Sequence, residues 1–214
     1  MSIWVDTTVP APTELYITDL GSHAIRRLSL TTGVVTTVGG TLGVPGFDGD
    51  GGPATSALLF LPTCAVLHPS TLDLYICDTR NHVVRKVSAS DKIITTVAGI
   101  GTSAGYTGDR ILATNSQLNY PQLVVFSPQV PDAFFILDRF NSRVRLVYRG
   151  VISTYAGTGL IGYSGDGGPA TLAKMYRPLG IAVDATGNLY IGDSSNDVSV
   201  RTPCPSSRCR VCCC

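Results

Sequence analysis

The chain has 214 residues, 44% of them apolar and 14% charged, with 23 Gly and 13 Pro and a formal net charge of +1. This profile fits a globular protein of strands and tight turns and excludes a disordered chain. The near-neutral balance gives no global field for nucleic acid or an acidic membrane surface, and no apolar run approaches the ~18 residues that span a bilayer.

The first ten residues, MSIWVDTTVP, lack the basic and apolar regions of a secretion signal, and the compartment stays open. Residues 2–6 read as strand because they align with residues 180–184, so the chain is expected to start inside a repeat with no leader. Residues 15–19 (LYITD) form the next expected strand. They return as LYICD at 74–78, FFILD at 134–138 and LYIGD at 189–193. A period near 58 residues means stacked or radially arranged units, and activity would have to come from what the units do not share. A third strand follows, clearest at 82–87 and 143–147. The fourth, rich in β-branched residues, is expected at 34–38, 93–97 and 151–155.

Each fourth strand runs into a glycine-rich stretch: GFDGDGGPAT at 46–55, GYTGDRILAT at 105–114 and GYSGDGGPAT at 162–171. The middle copy lacks the glycine pair and the proline. A single helical turn is expected around Ala57-Leu58 and its counterparts, opened by Pro53 or Pro169 at its first position. Pro62, Pro121 and Pro178 then close the unit. In the last repeat, residues 180–184, a turn through Ala185-Thr186-Gly187-Asn188 and residues 189–192 give two clear strands.

Short antiparallel strands in fours, apolar on both faces, read as propeller blades, because each blade is covered by its neighbours. A parallel α/β fold fails for want of any helical segment of ten or more residues between strands. The expected fold class is all-β: a β-propeller of four-stranded antiparallel blades, incomplete, with three blades plus part of a fourth. The blades are placed at 2–48, 62–108, 121–165 and 178–201. The motifs P-x-G-I-A-V-D, G-N-L-Y-I-x-D, N-H-x-x-R-K-V, I-T-T-V-A-G and S-G-D-G-G-P-A-T together resemble the NHL-repeat β-propeller family, over residues 2 to about 200. The resemblance implies a ring that usually has six blades. An open arc leaves an apolar flank at each end, so a protein partner or further blades of the same product are expected, and the chain is expected to be a fragment of a larger protein.

Asp19, Asp78, Asp138 and Asp193 close the second strands and are followed three residues later by Ser22, Asn81, Asn141 and Asn196. Blade geometry collects them, with the glycine loops, on one face. Two roles suit them: turns that satisfy their own backbone N–H groups, or a carboxylate ring that attracts a cation. The expected binding face is Asp19, Asp78, Asp138, Asp193, Asn81, Asn141 and Asn196. The run Asp48-Gly49-Asp50-Gly51-Gly52 suggests calcium but lacks a later acidic ligand, and Asp48 becomes Thr107 and Ser164 in the other copies. Asp50, Asp109 and Asp166 recur.

His23 and His82 are equivalent, with Ser142 and Asp197 in their place elsewhere. Some NHL-like propellers are lyases holding an axial metal with histidines from different blades, but two histidines fall short of a three-ligand zinc site. No cofactor is expected; the alternative is calcium or zinc drawing on Asp48, Asp50, Asp166, His23 and His82. His68 stands where Asp184 stands and has no clear partner. Arg26, Arg85 and Arg145 each lie seven residues after the repeated aspartate, with Arg27, Lys86, Arg143 and Arg149 beside them. Some NHL propellers bind RNA through a basic face. Alternation with apolar residues instead suits side chains lying along blade edges, so nucleic acid is not the expected partner. No Ser-His-Asp order, phosphate-cradling loop with a long helix, or metalloprotease helix is present.

Cys64 and Cys77 read as small buried side chains, with a cross-strand disulfide as the alternative. The other five cysteines fall in the last eleven residues. From Asp193 the repeat is expected to leave register, since Arg201 lies eight residues on. Residues 202–214 match nothing upstream. Cys209 and Cys212 lack the second pair of a structural zinc site, and clustered cysteines beside arginines also suit palmitate. The tail is expected to be disordered. The functional expectation is a non-catalytic binding scaffold for a protein or other ligand; the alternatives are a metal-dependent lyase and an RNA-binding module.

Overall fold

A computed structural model describes residues 3–5 and 13–202. Blade one has β1 (Ile3–Val5), β2 (Glu14–Asp19), β3 (Ala24–Ser29) and β4 (Val35–Gly39). Blade two has β5 (Cys64–Leu67), β6 (Leu74–Asp78), β7 (Val83–Val87) and β8 (Ile94–Ala98). After a short β9 (Ile111–Leu112), blade three has β10 (Pro121–Phe126), β11 (Phe134–Asp138), β12 (Arg143–Tyr148) and β13 (Val151–Ala156). Blade four has β14 (Gly180–Val183), β15 (Leu189–Asp193) and β16 (Val198–Thr202). All pairing within blades is antiparallel between consecutive strands, so hairpins make every connection. The first strands β1, β5, β10 and β14 meet one another in succession and mark the inner side of the arc.

Burial on both faces explains why the strands read as near-continuous apolar runs. In β6, Ile76 packs toward blade one with Ile25, Leu59 and Ile94, whereas Cys77 packs toward blade three with Leu118, Phe134 and Ile136. Blade three repeats this: Ile136 faces blade two, and Leu137 faces Ile181 and Leu189 of blade four. Among the described residues the core is thus divided into three apolar layers, one at each blade junction. At about 25 cal/mol per Å² of apolar surface buried, these junctions dominate the favourable side of folding.

Several expectations change in detail. The helical turn sits three residues earlier than expected, at Ala54–Ser56 and Ala170–Leu172, with Pro53 and Pro169 extended just before it. In the middle copy, which lacks the glycine pair and the proline, Ile111 and Leu112 pair as β9 with Ile152 and Val151. His82 and Ser142 are left-handed turn residues, so the third strands begin one residue later than His82. Blade four keeps register after all: Asp193 pairs with Val198 as Asp78 pairs with Val83, and Ile191 pairs with Val200 as Ile76 pairs with Arg85. Val200 therefore occupies the arginine position and Arg201 lies beside it. Thr202 belongs to β16 and is buried, not part of a tail. Residues 203–214, with Cys204, Cys209, Cys212, Cys213 and Cys214, lie outside the described residues.

Cys64 and Cys77 are direct cross-strand partners, with Cα atoms 5.0 Å apart, and are joined as a disulfide. They are buried as expected, but bonded to each other. His68 does have partners: its Nδ1 accepts the Thr71 N–H at 3.2 Å, and its Nε2 faces Asp132 at 3.5 Å. Asp184 does the same turn work in blade four, accepting the N–H groups of Thr186 and Asn188.

Candidate functional site: the blade clasps and the turn face

In blades two, three and four the second strand ends in a carboxylate whose hydrogen-bonding capacity is used inside the protein. Asp78 Oδ1 accepts the Phe60 N–H at 2.7 Å, from the connector that leads into its own blade. Its Oδ2 accepts Asn81 Nδ2 at 2.7 Å, and the same amide nitrogen donates to the Gly46 carbonyl at 2.6 Å. Blade three repeats the set with Asp138, Asn119, Asn141 and Gly105. Blade four repeats it with Asp193, Tyr176, Asn196 and Gly162. An aspartate and an asparagine three residues apart thus tie a turn to the glycine loop of the preceding blade.

The arginines complete two of these clasps. Arg85 and Arg145 are both 0% exposed. Arg85 lies 3.6 Å from Asp78 and donates to Asp50 at 2.7 Å and to the Asp48 carbonyl at 3.2 Å. Arg145 lies 3.7 Å from Asp138, with Asp109 at 3.0 Å and the Gly108 carbonyl at 2.7 Å. Rings of the same loops stack on them, Phe47 at 5.1 Å from Arg85 and Tyr106 at 4.8 Å from Arg145. Two guanidiniums enclosed in this way form no exposed basic face, in line with side chains lying along blade edges. In blade one Arg26 remains part-exposed and sits 3.9 Å from Asp19. Among the described residues, no glycine loop covers it.

Burial governs the titration of the clasps. It pushes the Asp78 carboxyl up to about 7 and Asp138 up to about 6, against the pull of the asparagine, the backbone N–H and the arginine.

The metal candidates have separate local tasks. Asp48 accepts its neighbour's N–H at Gly49, Asp50 holds Arg85, and Asp166 accepts the Tyr163 hydroxyl at 2.8 Å. His23 Nδ1 accepts the Leu61 N–H at 3.1 Å, and His82 Nδ1 accepts the Tyr120 N–H at 3.2 Å. Burial, then Arg80, depress the His82 pKa, which keeps the ring neutral with its proton on Nε2. Among the described residues, no three His, Cys, Asp or Glu side chains converge as a metal would need.

On the turn face the structure assembles a row that the repeat pattern does not mark. The Arg80 guanidinium lies 5.8 Å from the Phe60 ring and 5.3 Å from Tyr120, and Tyr120 lies 4.5 Å from Phe140. Arg177 lies 5.3 Å from Phe140 and 5.4 Å from Tyr176. Arg80, Phe140 and Arg177 are exposed. The ion pairs among the described residues involve none of Arg80, Arg139 and Arg177. Burial and the charge of Arg177 lower the Arg139 pKa, the sign of an electropositive patch. The row occupies two positions that vary between blades: the second residue after the aspartate, and the connector just before the closing proline. That variation is the signal which could have found it.

No protein-family model matches the chain. Among solved structures, it superposes on an auxiliary nutrient binding protein from Bacteroides ovatus ATCC 8483 with a TM-score of 0.67 at 23% identity, over 89% of this chain and 46% of that one. The chain has the fold of a β-propeller. Virginiamycin B lyase from Staphylococcus aureus carries the same propeller fold, with a TM-score of 0.53 at 13% identity over 97% of this chain and 56% of that one. A curated relative, Protein SUPPRESSOR OF QUENCHING 1, chloroplastic, from Arabidopsis thaliana, is 25% identical over 192 residues, which are 85% of this chain. This propeller chain spans about half the length of the solved structures it matches and 18% of that relative. No helix among the described residues is long and apolar enough to cross a membrane.

Proposed function

We propose that the chain is an NHL-type propeller segment of a larger protein that acts as a non-catalytic scaffold and presents its turn face to an acidic protein surface or ligand. The observation that carries this reading is the row Arg80, Tyr120, Phe140 and Arg177: exposed guanidiniums without carboxylate partners among the described residues, held over aromatic rings. Guanidinium and aromatic side chains are the groups that carry most binding energy at protein interfaces. The aspartates and asparagines of this face act behind the row, fixing the turns that display it. In the propellers named above, nutrient binding and lyase activity belong to those proteins, and their low identity to this chain carries fold alone.

The test uses a soluble acidic probe, poly-L-glutamate, in calorimetric titration. Binding weakened about tenfold by the paired changes Arg80→Ala and Arg177→Ala supports the face; binding unchanged by them overturns it. Metal analysis addresses the lyase alternative. Stoichiometric zinc in purified protein, lost on changing His23 and His82 to Ala, would sink the scaffold reading.

A further inference from the structure

At two of its junctions the glycine loop leaving one blade pairs, strand to strand, with the fourth strand of the next. In the first, Gly51 N–H donates to the Ile94 carbonyl at 2.8 Å, Ile94 N–H to Gly52 at 3.0 Å, and Ala54 N–H to Lys92 at 2.9 Å. The loop aspartate joins in, since Asp50 Oδ2 accepts the Thr96 N–H at 3.1 Å. In the second, Arg110 N–H donates to Ile152 and Ala113 N–H to Gly150, both at 2.7 Å, and Asp109 accepts the Thr154 hydroxyl at 2.9 Å. The loop is therefore half of a sheet junction whose other half is an extended segment reading Ile-x-Thr-x-Ala-Gly.

The third loop is built for the same partner. Gly167 has φ +74° where Gly51 has +80°, and Gly168 N–H donates to Gly165 at 3.1 Å as Gly52 does to Gly49. Ala170 accepts the Gly157 N–H at 2.9 Å as Ala54 accepts that of Gly40. Yet among the described residues no strand lies against it, and the outer edge of β16 is likewise unpaired. Between the two edges lies an open cavity of about 600 Å³, lined by Tyr163, Asp166, Gly168, Ala170, Ser199 and Arg201. Val200 stands where the other junctions have arginine, so among the described residues the Asp166 carboxylate accepts only the Tyr163 hydroxyl.

We propose that this cavity is a strand-acceptor slot: it takes one extended segment of pattern Ile-x-Thr-x-Ala-Gly from a partner polypeptide, antiparallel to β16 and hydrogen-bonded to the 167–170 loop. The two filled junctions of the same chain define the occupant's chemistry. β-Branched residues satisfy the pleat, threonine meets Asp166, and backbone N–H and C=O groups meet Gly167, Gly168 and Ala170. An exposed sheet edge gains main-chain hydrogen bonds by such addition, and alternate side-chain pockets set its specificity. The slot rests on blade geometry and is independent of the scaffold reading of the turn face.

The test titrates the full chain with a synthetic peptide copying residues 91–99, DKIITTVAG, and follows binding by calorimetry. Saturable one-to-one binding is expected. It should weaken at least tenfold with Ala170→Pro, which deletes one donor where the preceding backbone already suits proline. The same loss is expected from a peptide N-methylated at the isoleucine copying Ile94, a change that leaves the protein untouched. No saturable binding, or equal binding by both peptides, overturns the proposal. So does a dimer of the chain that excludes the peptide, because it assigns the slot to a second copy.

Discussion

Arg85 of blade two reaches back across a blade junction to Asp50, 2.7 Å away in the loop that leaves blade one. The same guanidinium lies 3.6 Å from Asp78 of its own blade, and both Arg85 and Asp78 are wholly buried. One side chain therefore adds to the Asn81–Gly46 hydrogen bond, apolar packing and backbone pairing that already join the two units. Breaking a buried ion pair by removing one partner leaves an uncompensated charge, so Arg85→Met is expected to cost about 3–5 kcal/mol. Arg26→Met removes the equivalent residue at a part-exposed site and should cost less than about 1 kcal/mol. Denaturant midpoints of the two variants check this, and equal losses would deny the junction role of Arg85.

Stability should also depend on pH through the clasps. Burial raises the folded-state carboxyls of Asp78 and Asp138 to about 7 and about 6, whereas in the unfolded chain they return to about 4. A raised acid binds its proton more tightly when folded. Its contribution is therefore complete below about pH 4 and is lost as pH rises through the folded values. Asp91 and Asp184, both lowered by hydrogen bonds, act in the opposite sense, but their contribution is lost only as pH falls below the unfolded range. His82, whose pKa burial lowers, opposes this up to its unfolded value near 6.5, but the two aspartates carry the larger shifts, so melting temperature should decline between about pH 5 and 7 in the native chain, and less steeply in Asp78→Asn. Parallel curves for the two proteins would contradict the assignment.

The strands of blades two and three were legible because they are apolar on both faces, a pattern that needs covering neighbours. The fourth blade was harder. Its third strand lacks the arginine that marks β3, β7 and β12, and reading Arg201 as that arginine moved the register by one residue. Backbone pairing keeps Val198 opposite Asp193 whatever side chain follows. The clasps were half legible. Aspartate and asparagine three residues apart signalled a turn, but the connection to Gly46, Gly105 and Gly162 spans more than thirty residues and has no local mark. His68 looked solitary because its partners are backbone N–H groups of its own turn, which no residue type announces, and Asp132, which lies in the next blade. The row from Arg80 to Arg177 escaped because repeats draw attention to what recurs, and its members differ from blade to blade.

The glycine just after each fourth strand of blades one to three is fixed by a carbonyl. Gly99 has φ +95°, and a Cβ there would run into the His82 carbonyl oxygen and Val83. Gly40 and Gly157 meet His23 and Ser142 in the same way. Gly99→Ala is expected to cost about 1–3 kcal/mol for the backbone conformation alone, with the collision added to it. Gly33, at φ +71°, has open space around its Cβ position, so Gly33→Ala should cost only about 1 kcal/mol. Thermal denaturation of the pair separates conformational strain from collision. If both variants melt alike, the close approach at the blade end is unimportant.

The Cys64–Cys77 bond sits at the face of blade two that packs on blade three, beside Phe134 and Ile136. It joins neighbouring strands of one hairpin, closing a loop of 13 residues. On the chain-entropy model a loop of this length is worth about 3 kcal/mol through the unfolded state. The two positions are occupied by Leu123 and Leu137 in blade three and by Gly180 and Gly192 in blade four, so the hairpin forms without a covalent link elsewhere. Reduction should therefore lower the melting temperature without dispersing the fold. Cys64→Ala with Cys77→Ala should reproduce that loss, and the double variant should be indifferent to reductant. A native chain whose melting is equally indifferent would show that the thiols are not bonded and serve only as small buried side chains.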